Sequence, residues 1–123
     1  MMIERFEEIK AWQEARVLTR MVYELTKGER FARDFGLRDQ IQRAAASVMA
    51  NIAEGFERQS RKDFRHFLGI ALGSSSEVRS HLYVALDQGY IDDPAFKEAY
   101  TQAETTSRLI FGFMKRLSES IPD

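Results

Sequence analysis

Four basic side chains fall within one stretch of eight residues: Arg58, Arg61, Lys62 and Arg65. Guanidinium and ammonium groups bind phosphate oxygens, and the planar guanidinium can do so with two parallel hydrogen bonds. Arginine outnumbers lysine by 13 to 5 in this chain. The cluster therefore indicates a site that binds nucleic acid through its phosphates. The alternative is a solvated surface, because Glu57 and Asp63 partly neutralise the same stretch.

The basic excess is local and not a property of the whole chain. Eighteen basic and 19 acidic residues give a net charge of −1, so no overall positive field indicates a polyanionic partner. Residues 29–66 carry eight basic and six acidic groups. If several copies presented this region around one axis, the excess would be multiplied into a ring that can hold a polyanion.

Residue patterns for other chemistries are missing from the sequence. There is no cysteine, and the two histidines, His66 and His81, are fifteen residues apart, which is not the spacing of a zinc-binding helix. The residues three positions before them are Asp63 and Val78, so the Glu-x-x-His pairs of di-iron bundles do not occur. No glycine-rich phosphate loop or Gly-x-Ser-x-Gly motif is present. We therefore predict no catalytic residues, no metal site, no cofactor and no enzymatic activity.

The composition and the small number of helix-breaking residues indicate one all-α domain over residues 1–123. The chain is 44% hydrophobic and 30% charged, which is typical of a soluble globular protein. Only two prolines occur, Pro94 and Pro122, and no stretch alternates as a strand does. Five of the first ten residues are charged, so we expect neither a signal peptide nor a membrane anchor, and we expect a cytoplasmic protein.

Apolar residues spaced by three and four predict four helices, over about residues 6–26, 36–57, 60–89 and 93–118, with a short helical turn between the first two. Ser60 and Asp93 are the predicted N-caps of the third and fourth helices. Gly55 is expected to loosen the end of the second helix, and Gly89 to stop the third. Short connections favour an antiparallel up-down four-helix bundle. The stripe predicted for the fourth core face is Phe96, Tyr100, Ala103, Ser107, Ile110, Met114 and Leu117.

The second and third predicted helices have a second face that is poorly suited to water. Within residues 44–53 only Ser47 and Asn51 are polar. On the third helix, Gly69 and Gly73 lie opposite the apolar stripe, and each costs about 1 kcal/mol relative to alanine in a helix interior. We predict a homo-oligomer whose subunits meet along these two helices. The alternative is one bundle with the second helix at its centre, which would cover both faces.

An antiparallel hairpin between these helices pairs residues whose numbers sum to about 117 to 120. This places Arg43 beside Ser74 and Glu77, and we predict an ion pair or hydrogen bond between Arg43 and Glu77 at the edge of the interface. The same register places Glu54 near Lys62 and Arg65. The residues assigned to the oligomer interface are Arg43, Ser47, Ala50, Glu54, Gly69, Gly73 and Glu77.

A family resemblance is carried mainly by two segments, QRAAASVMANIAEGFER at 42–58 and FLGIALGSSSE at 67–77. Weaker support comes from Trp12, Ala15 and the Gly89-Tyr90-Ile91 stretch. The chain resembles the four-helix-bundle proteins encoded in intervening sequences of bacterial 23S ribosomal RNA genes. That family includes the accessory variability protein of diversity-generating retroelements. The resemblance implies an antiparallel bundle, a ring-like homopentamer, binding of RNA or DNA without catalysis and, for the retroelement branch, a reverse transcriptase partner.

Two functional hypotheses follow. In the first, the chain is a non-enzymatic oligomeric bundle that binds RNA or DNA through its basic turn. In the second, it is a protein-interaction module that docks a partner such as a reverse transcriptase and does not itself contact nucleic acid. The sequence leaves the kind of nucleic acid and the biological process open.

Overall fold

The computed structural model describes residues 3–119, in which five helices and one short 3-10 turn occur and no strand is found. The elements are the turn Phe6–Glu8 and the helices α1 (Lys10–Leu25), α2 (Glu29–Arg33), α3 (Phe35–Phe56), α4 (Arg61–Asp87) and α5 (Asp93–Glu119). The all-α prediction is confirmed for this range. The four long helices correspond to the four predicted ones, and α2 is the predicted short turn. Residues 1–2 and 120–123 of the predicted domain lie outside the described range.

The first predicted helix is interrupted at Ile9, which was not expected. Ile9 has an extended backbone (φ −75°, ψ 122°) between the 3-10 turn and α1, and its side chain is 1% exposed. The preceding turn is capped separately, because the Arg5 N–H donates a hydrogen bond of 2.9 Å to the Glu8 carboxylate. The interruption places Ile9 in the core and leaves Phe6 to stack against Trp12, with ring centroids 5.2 Å apart.

Short polar side chains cap two helix starts, and a glycine with a positive φ follows one helix end. The Ser60 hydroxyl accepts a hydrogen bond from the Asp63 N–H at 3.1 Å, so the predicted cap of α4 is confirmed. Asp34 caps α3 in the same way by accepting from the Leu37 N–H at 3.1 Å. Gly89 has a φ of +72°, a conformation that favours glycine. It lies two residues after the end of α4, where it stops the helix as predicted.

The cap predicted for the fourth helix is wrong by one residue. Asp92, and not Asp93, accepts a hydrogen bond from the Ala95 N–H, at 2.9 Å. Helix α5 begins at Asp93, so Pro94 is its second residue. An aspartate accepts most readily from the N–H three residues later, and this relation holds for Asp92 and Ala95.

The four long helices pack in the cyclic order α1, α3, α4, α5, with α5 also in contact with α1. The predicted core face of α5 is rotated relative to the observed one. Phe96, Tyr100 and Met114 are only partly buried, because the rings of Phe96 and Tyr100 stack on Tyr83 at the α4–α5 edge, 4.9 and 5.5 Å away. The buried residues of α5 are Ala99, Ala103, Thr106, Ile110, Phe113 and Leu117. No helix within residues 3–119 has the length and hydropathy needed to cross a membrane.

A buried hydroxyl joins α4 to α5 at the middle of the bundle. Ser75 is fully buried, donates to the Ala103 carbonyl oxygen at 3.1 Å and accepts from the Ser107 hydroxyl at 2.8 Å. We expect Ser75→Ala to lower the free energy of unfolding by about 1 kcal/mol, because the buried hydrogen bond to the Ala103 carbonyl oxygen is lost and the partly buried Ser107 hydroxyl loses its acceptor. Urea unfolding measures this, with the exposed Ser80→Ala as the matched control. Equal losses in the two variants would contradict the expectation.

Candidate nucleic-acid interface and assembly face

The turn between α3 and α4 is tight because Gly55 has no side chain. A Cβ on Gly55 would lie 2.8 Å from Cδ1 of Phe64 and 2.9 Å from Cβ of Phe67. Gly55 was expected to loosen the end of the second helix, which ends at Phe56, but it is buried in the last turn of α3. It instead lets α4 approach α3 closely enough for Phe64 to enter the core. The sequence signal was the pair of phenylalanines opposite the glycine in the hairpin register.

Arg58 is held in place at this turn by two contacts. Its guanidinium forms an ion pair with Glu54 at 2.6 Å and lies over the ring of Phe67, 4.7 Å from the centroid. Glu54 therefore pairs with Arg58, four residues further along the chain, whereas the hairpin register predicted that Glu54 would lie near Lys62. The Arg58 side chain remains 45% exposed. Its orientation is thus restricted while its charged end stays accessible to solvent.

The other three predicted phosphate-binding residues lie in the first two turns of α4. Lys62 is exposed, whereas Arg61 and Arg65 are partly buried and each takes part in a contact of its own. The N-terminus of this 27-residue helix adds a partial positive charge at the same place. Glu57 and Asp63, also exposed, reduce the net charge there.

Arg116 is a basic residue of this end of the bundle that the sequence analysis missed. Its guanidinium lies 5.4 Å from the ring centroid of Phe113, and that ring lies 5.3 Å from the ring of Phe64 near the start of α4. The end of α5 therefore places a cation at the same end of the bundle as the basic turn. Finding it from sequence would have required the register between α4 and α5.

The three arginines at the opposite end of α3 lie among an equal number of carboxylates, Glu29, Asp34 and Asp39. Arg33 pairs with Glu29 at 2.9 Å, and Arg38 pairs with Asp39 at 3.0 Å. Arg30 lies over the Tyr90 ring, 5.4 Å from its centroid. This end is therefore less suited to a polyanion than the basic turn.

Tyr90 ties the connection after α4 to the start of α3. Its hydroxyl donates a hydrogen bond of 2.9 Å to the Asp34 carboxylate, which also caps α3. This hydrogen bond, followed by burial, raises the pKa of Tyr90 above its usual value. The folded state favours the protonated phenol, so the stabilisation is complete below the ordinary tyrosine pKa of about 10 and is lost as the pH rises through the raised pKa.

Three of the seven predicted interface residues, Arg43, Ser47 and Glu77, line one groove between α3 and α4. Ser47 and Ser74 form a hydrogen bond of 2.9 Å across it, and Arg43 and Glu77 line the same groove, which encloses about 210 Å³. Within residues 3–119 Arg43 and Glu77 form no ion pair with each other, and the Glu77 carboxylate lies 3.7 Å from Nε2 of His81. The predicted neighbourhood is thus confirmed, but the predicted Arg43–Glu77 pair is not formed within one chain.

The outer surface of this hairpin carries small residues that the chain does not cover. Ala46 and Ala50 are exposed, so the alternative of a single bundle that buries all of residues 44–53 is wrong for one chain. A Cβ on Gly73 would meet nothing within 4 Å, and one on Gly69, nearer α5, would make an ordinary 3.9 Å contact with Met114. Packing inside the chain therefore requires neither glycine. We call Ala46, Ala50, Ile70 and Gly73 the small-residue face; its Ile70 is 41% exposed.

Among the described residues, no group of histidine, aspartate and glutamate side chains is arranged to hold a metal ion. His81 is mostly buried beside Glu77, and its Nε2 has no hydrogen-bond partner. His66 is exposed on the outer side of α4, with its ring against Phe67. The two histidines are therefore not brought together.

Comparisons with known proteins agree with this architecture. A crystal structure from Bacteroides thetaiotaomicron VPI-5482, described as a protein of unknown function from the S23 ribosomal protein family, superposes with a TM-score of 0.78 at 26% sequence identity, covering 85% of this chain and 98% of that chain. A search of curated proteins found no match. The family model for the 23S rRNA-intervening sequence protein matches residues 7–112, which span the basic turn, the small-residue face and most of α5. The chain therefore belongs to the 23S rRNA-intervening sequence protein family.

Proposed function

We propose that the chain is a non-enzymatic, antiparallel up-down four-helix bundle that assembles with copies of itself and binds RNA or DNA through the basic turn. The contacting residues would be Arg58, Arg61, Lys62 and Arg65. A cytoplasmic location is part of this proposal, in keeping with a cysteine-free sequence. The number of subunits, five, comes from the family resemblance.

The antiparallel arrangement is supported by which residues meet. Between α3 and α4, Ser47 contacts Ser74 and Phe56 contacts Phe64. Between α4 and α5, Ser75 contacts Ala103 and Phe64 contacts Phe113. In both pairs of helices, higher numbers on one helix meet lower numbers on the next. That relation is expected for antiparallel neighbours joined by short connections.

The observation that carries the nucleic-acid proposal is the presentation of cations on two well-packed helix ends. Arg58 is oriented by Glu54 and Phe67, and Lys62 is exposed one turn into α4. Preorganised cations lose little side-chain entropy when they contact phosphates. Repetition of the turn around a symmetry axis would multiply a modest local charge into a strong one, because nucleic-acid affinity grows with the number of phosphates contacted.

A direct binding experiment tests the proposal. Purified protein is titrated into labelled single-stranded RNA, structured RNA and duplex DNA at about 50 and about 200 mM salt, a range over which phosphate-dominated binding weakens by orders of magnitude. We expect binding that falls steeply with salt and depends little on base sequence. The absence of binding to all three at the lower salt would contradict the proposal and favour the protein-interaction module.

Glu57, an exposed carboxylate of the same turn, gives a second test of the same surface. It lies outside the Glu54–Arg58 pair and the small-residue face, so we expect Glu57→Gln to change the free energy of unfolding by less than about 1 kcal/mol. The same change removes a negative charge beside the cations, so nucleic-acid affinity should rise several-fold at low salt. The matched control is Glu98→Gln, an exposed change on α5. Equal affinities of the two variants would contradict the role of this turn.

A further inference from the structure

A second uncovered surface lies between α4 and α5, on the other side of α4 from the small-residue face. Leu72, Ser107, Arg108, Phe111 and Gly112 line a shallow, mainly apolar groove. The Phe111 side chain is 60% exposed, although burying an aromatic ring stabilises a protein by about 1.5–3 kcal/mol. Nothing within the described chain covers this ring.

The shapes of the two surfaces are complementary. On one, Phe111 projects from α5 beside Gly112, where a Cβ would meet nothing within 4 Å. On the other, Ala46, Ala50 and Gly73 have no atoms beyond Cβ, so a ring can approach the α3 and α4 backbones closely. Ile70 beside them offers an apolar edge for that ring.

Charged side chains flank both surfaces. Arg108 and Lys115 lie three residues before and four residues after Phe111. Both are exposed, and neither forms an ion pair within residues 3–119.

Glu54 and Glu77 lie at the two ends of the small-residue face, and both are exposed. Glu54 is paired with Arg58, whereas Glu77 forms no ion pair with a lysine or arginine within residues 3–119, although exposed Arg43 lines the same groove. Glu77 is therefore the carboxylate better placed to take a cation from another copy. At about 1.5 Å per helical residue, the cations are separated by about 10 Å along α5. The carboxylates are separated by about 15 Å along the bundle, a difference that flexible arginine and lysine side chains can bridge.

We propose that Phe111 of one subunit packs on the small-residue face of the next subunit, with Arg108 and Lys115 facing Glu77 and Glu54. This inference rests on the proposed self-assembly and specifies its contact. The two surfaces differ and lie on different sides of α4, so the contact is head-to-tail. Such contacts form closed rings or open filaments, whereas a two-fold dimer would join identical surfaces.

Thiol cross-linking tests the contact, because the natural sequence has no cysteine. Ala50→Cys and Gly112→Cys place one thiol on each surface and leave Phe111 in place. Treated with a short bis-maleimide, each single variant should stay uncross-linked, and a mixture of the two should give dimers. A chain with both changes should give a ladder of bands whose largest member is the complete ring. Ala46→Cys replaces Ala50→Cys if the latter does not fold.

A truncation measures the energetic role of the ring. We expect Phe111→Ala to weaken assembly at least tenfold, with the matched control Tyr23→Ala, an aromatic residue of α1 that is 46% exposed, leaving it unchanged. Cross-links within single-cysteine samples, or an assembly that gives none in the mixture, would overturn the head-to-tail contact while leaving self-assembly intact. A protein that remains monomeric would overturn the proposed assembly itself.

Discussion

Replacement of Arg58, Arg61, Lys62 and Arg65 by glutamine should remove most of the salt-dependent affinity for nucleic acid. Each phosphate contact contributes about 0.9 to the slope of log affinity against log salt for duplex DNA and about 0.7 for single strands. Loss of four contacts should therefore lower the slope by about 3 to 4 for each subunit that touches the ligand. Fluorescence anisotropy at several salt concentrations measures both affinity and slope.

A matched charge change separates a local site from a general electrostatic effect. The control variant replaces four exposed cations away from the basic turn by glutamine: Arg20, Lys27, Arg33 and Lys97. Like the first variant, it lowers the net charge from −1 to −5. We expect this control to keep most of the slope and affinity. Equal losses in the two variants would contradict a defined interface at the turn and indicate only nonspecific attraction.

Alanine substitutions at Gly55 and Gly73 should have opposite effects on the folded subunit. A methyl group at Gly55 would lie 2.8 Å from the Phe64 ring, 2.9 Å from Phe67 Cβ and 3.2 Å from the Phe64 carbonyl oxygen. We expect Gly55→Ala to lower the free energy of unfolding by about 1–3 kcal/mol, since α3 and α4 must separate. Gly73→Ala meets open space, so it should raise the same quantity by up to about 1 kcal/mol through helix propensity.

The effect of Gly73→Ala on assembly is the more informative part of this pair. Because Gly73 belongs to the small-residue face, the added methyl group should weaken association of subunits even as it stabilises each one. Urea unfolding at low protein concentration gives the first quantity, and light scattering over a dilution series gives the second. A variant that is more stable and assembles as well as the natural protein would show that this glycine has no role in an interface.

The helices themselves were predictable because their signals are local. Ser60 at the start of α4 and Gly89 after its end act through their own backbone neighbourhoods. The register of the α3–α4 hairpin also followed from sequence, since a short connection constrains which residues meet, as Ser47 and Ser74 do.

Features that depend on tertiary packing could not be predicted. Gly55 was interpreted only as loosening the end of its helix, because the two phenylalanines that pack on it come from the next helix. The α5 core face was misplaced because large aromatic side chains at Phe96 and Tyr100 were assigned to the interior. In the structure they stack with Tyr83 at the edge, and the smaller Ala99 and Thr106 are buried. The cation Arg116 was missed because the helix end that lies at the same end of the bundle is distant in sequence.

The exposed small-residue face is the reason to expect self-association. The nucleic-acid proposal depends on the same assembly, because its symmetry would repeat the basic turn. Light scattering coupled to size-exclusion chromatography, over a wide range of protein concentrations, tests this most directly. One chain has a mass of 14.2 kDa, and the account predicts a single species at a whole multiple of it, about 71 kDa for five subunits. A folded species that stays at 14.2 kDa at the highest concentration would contradict the account.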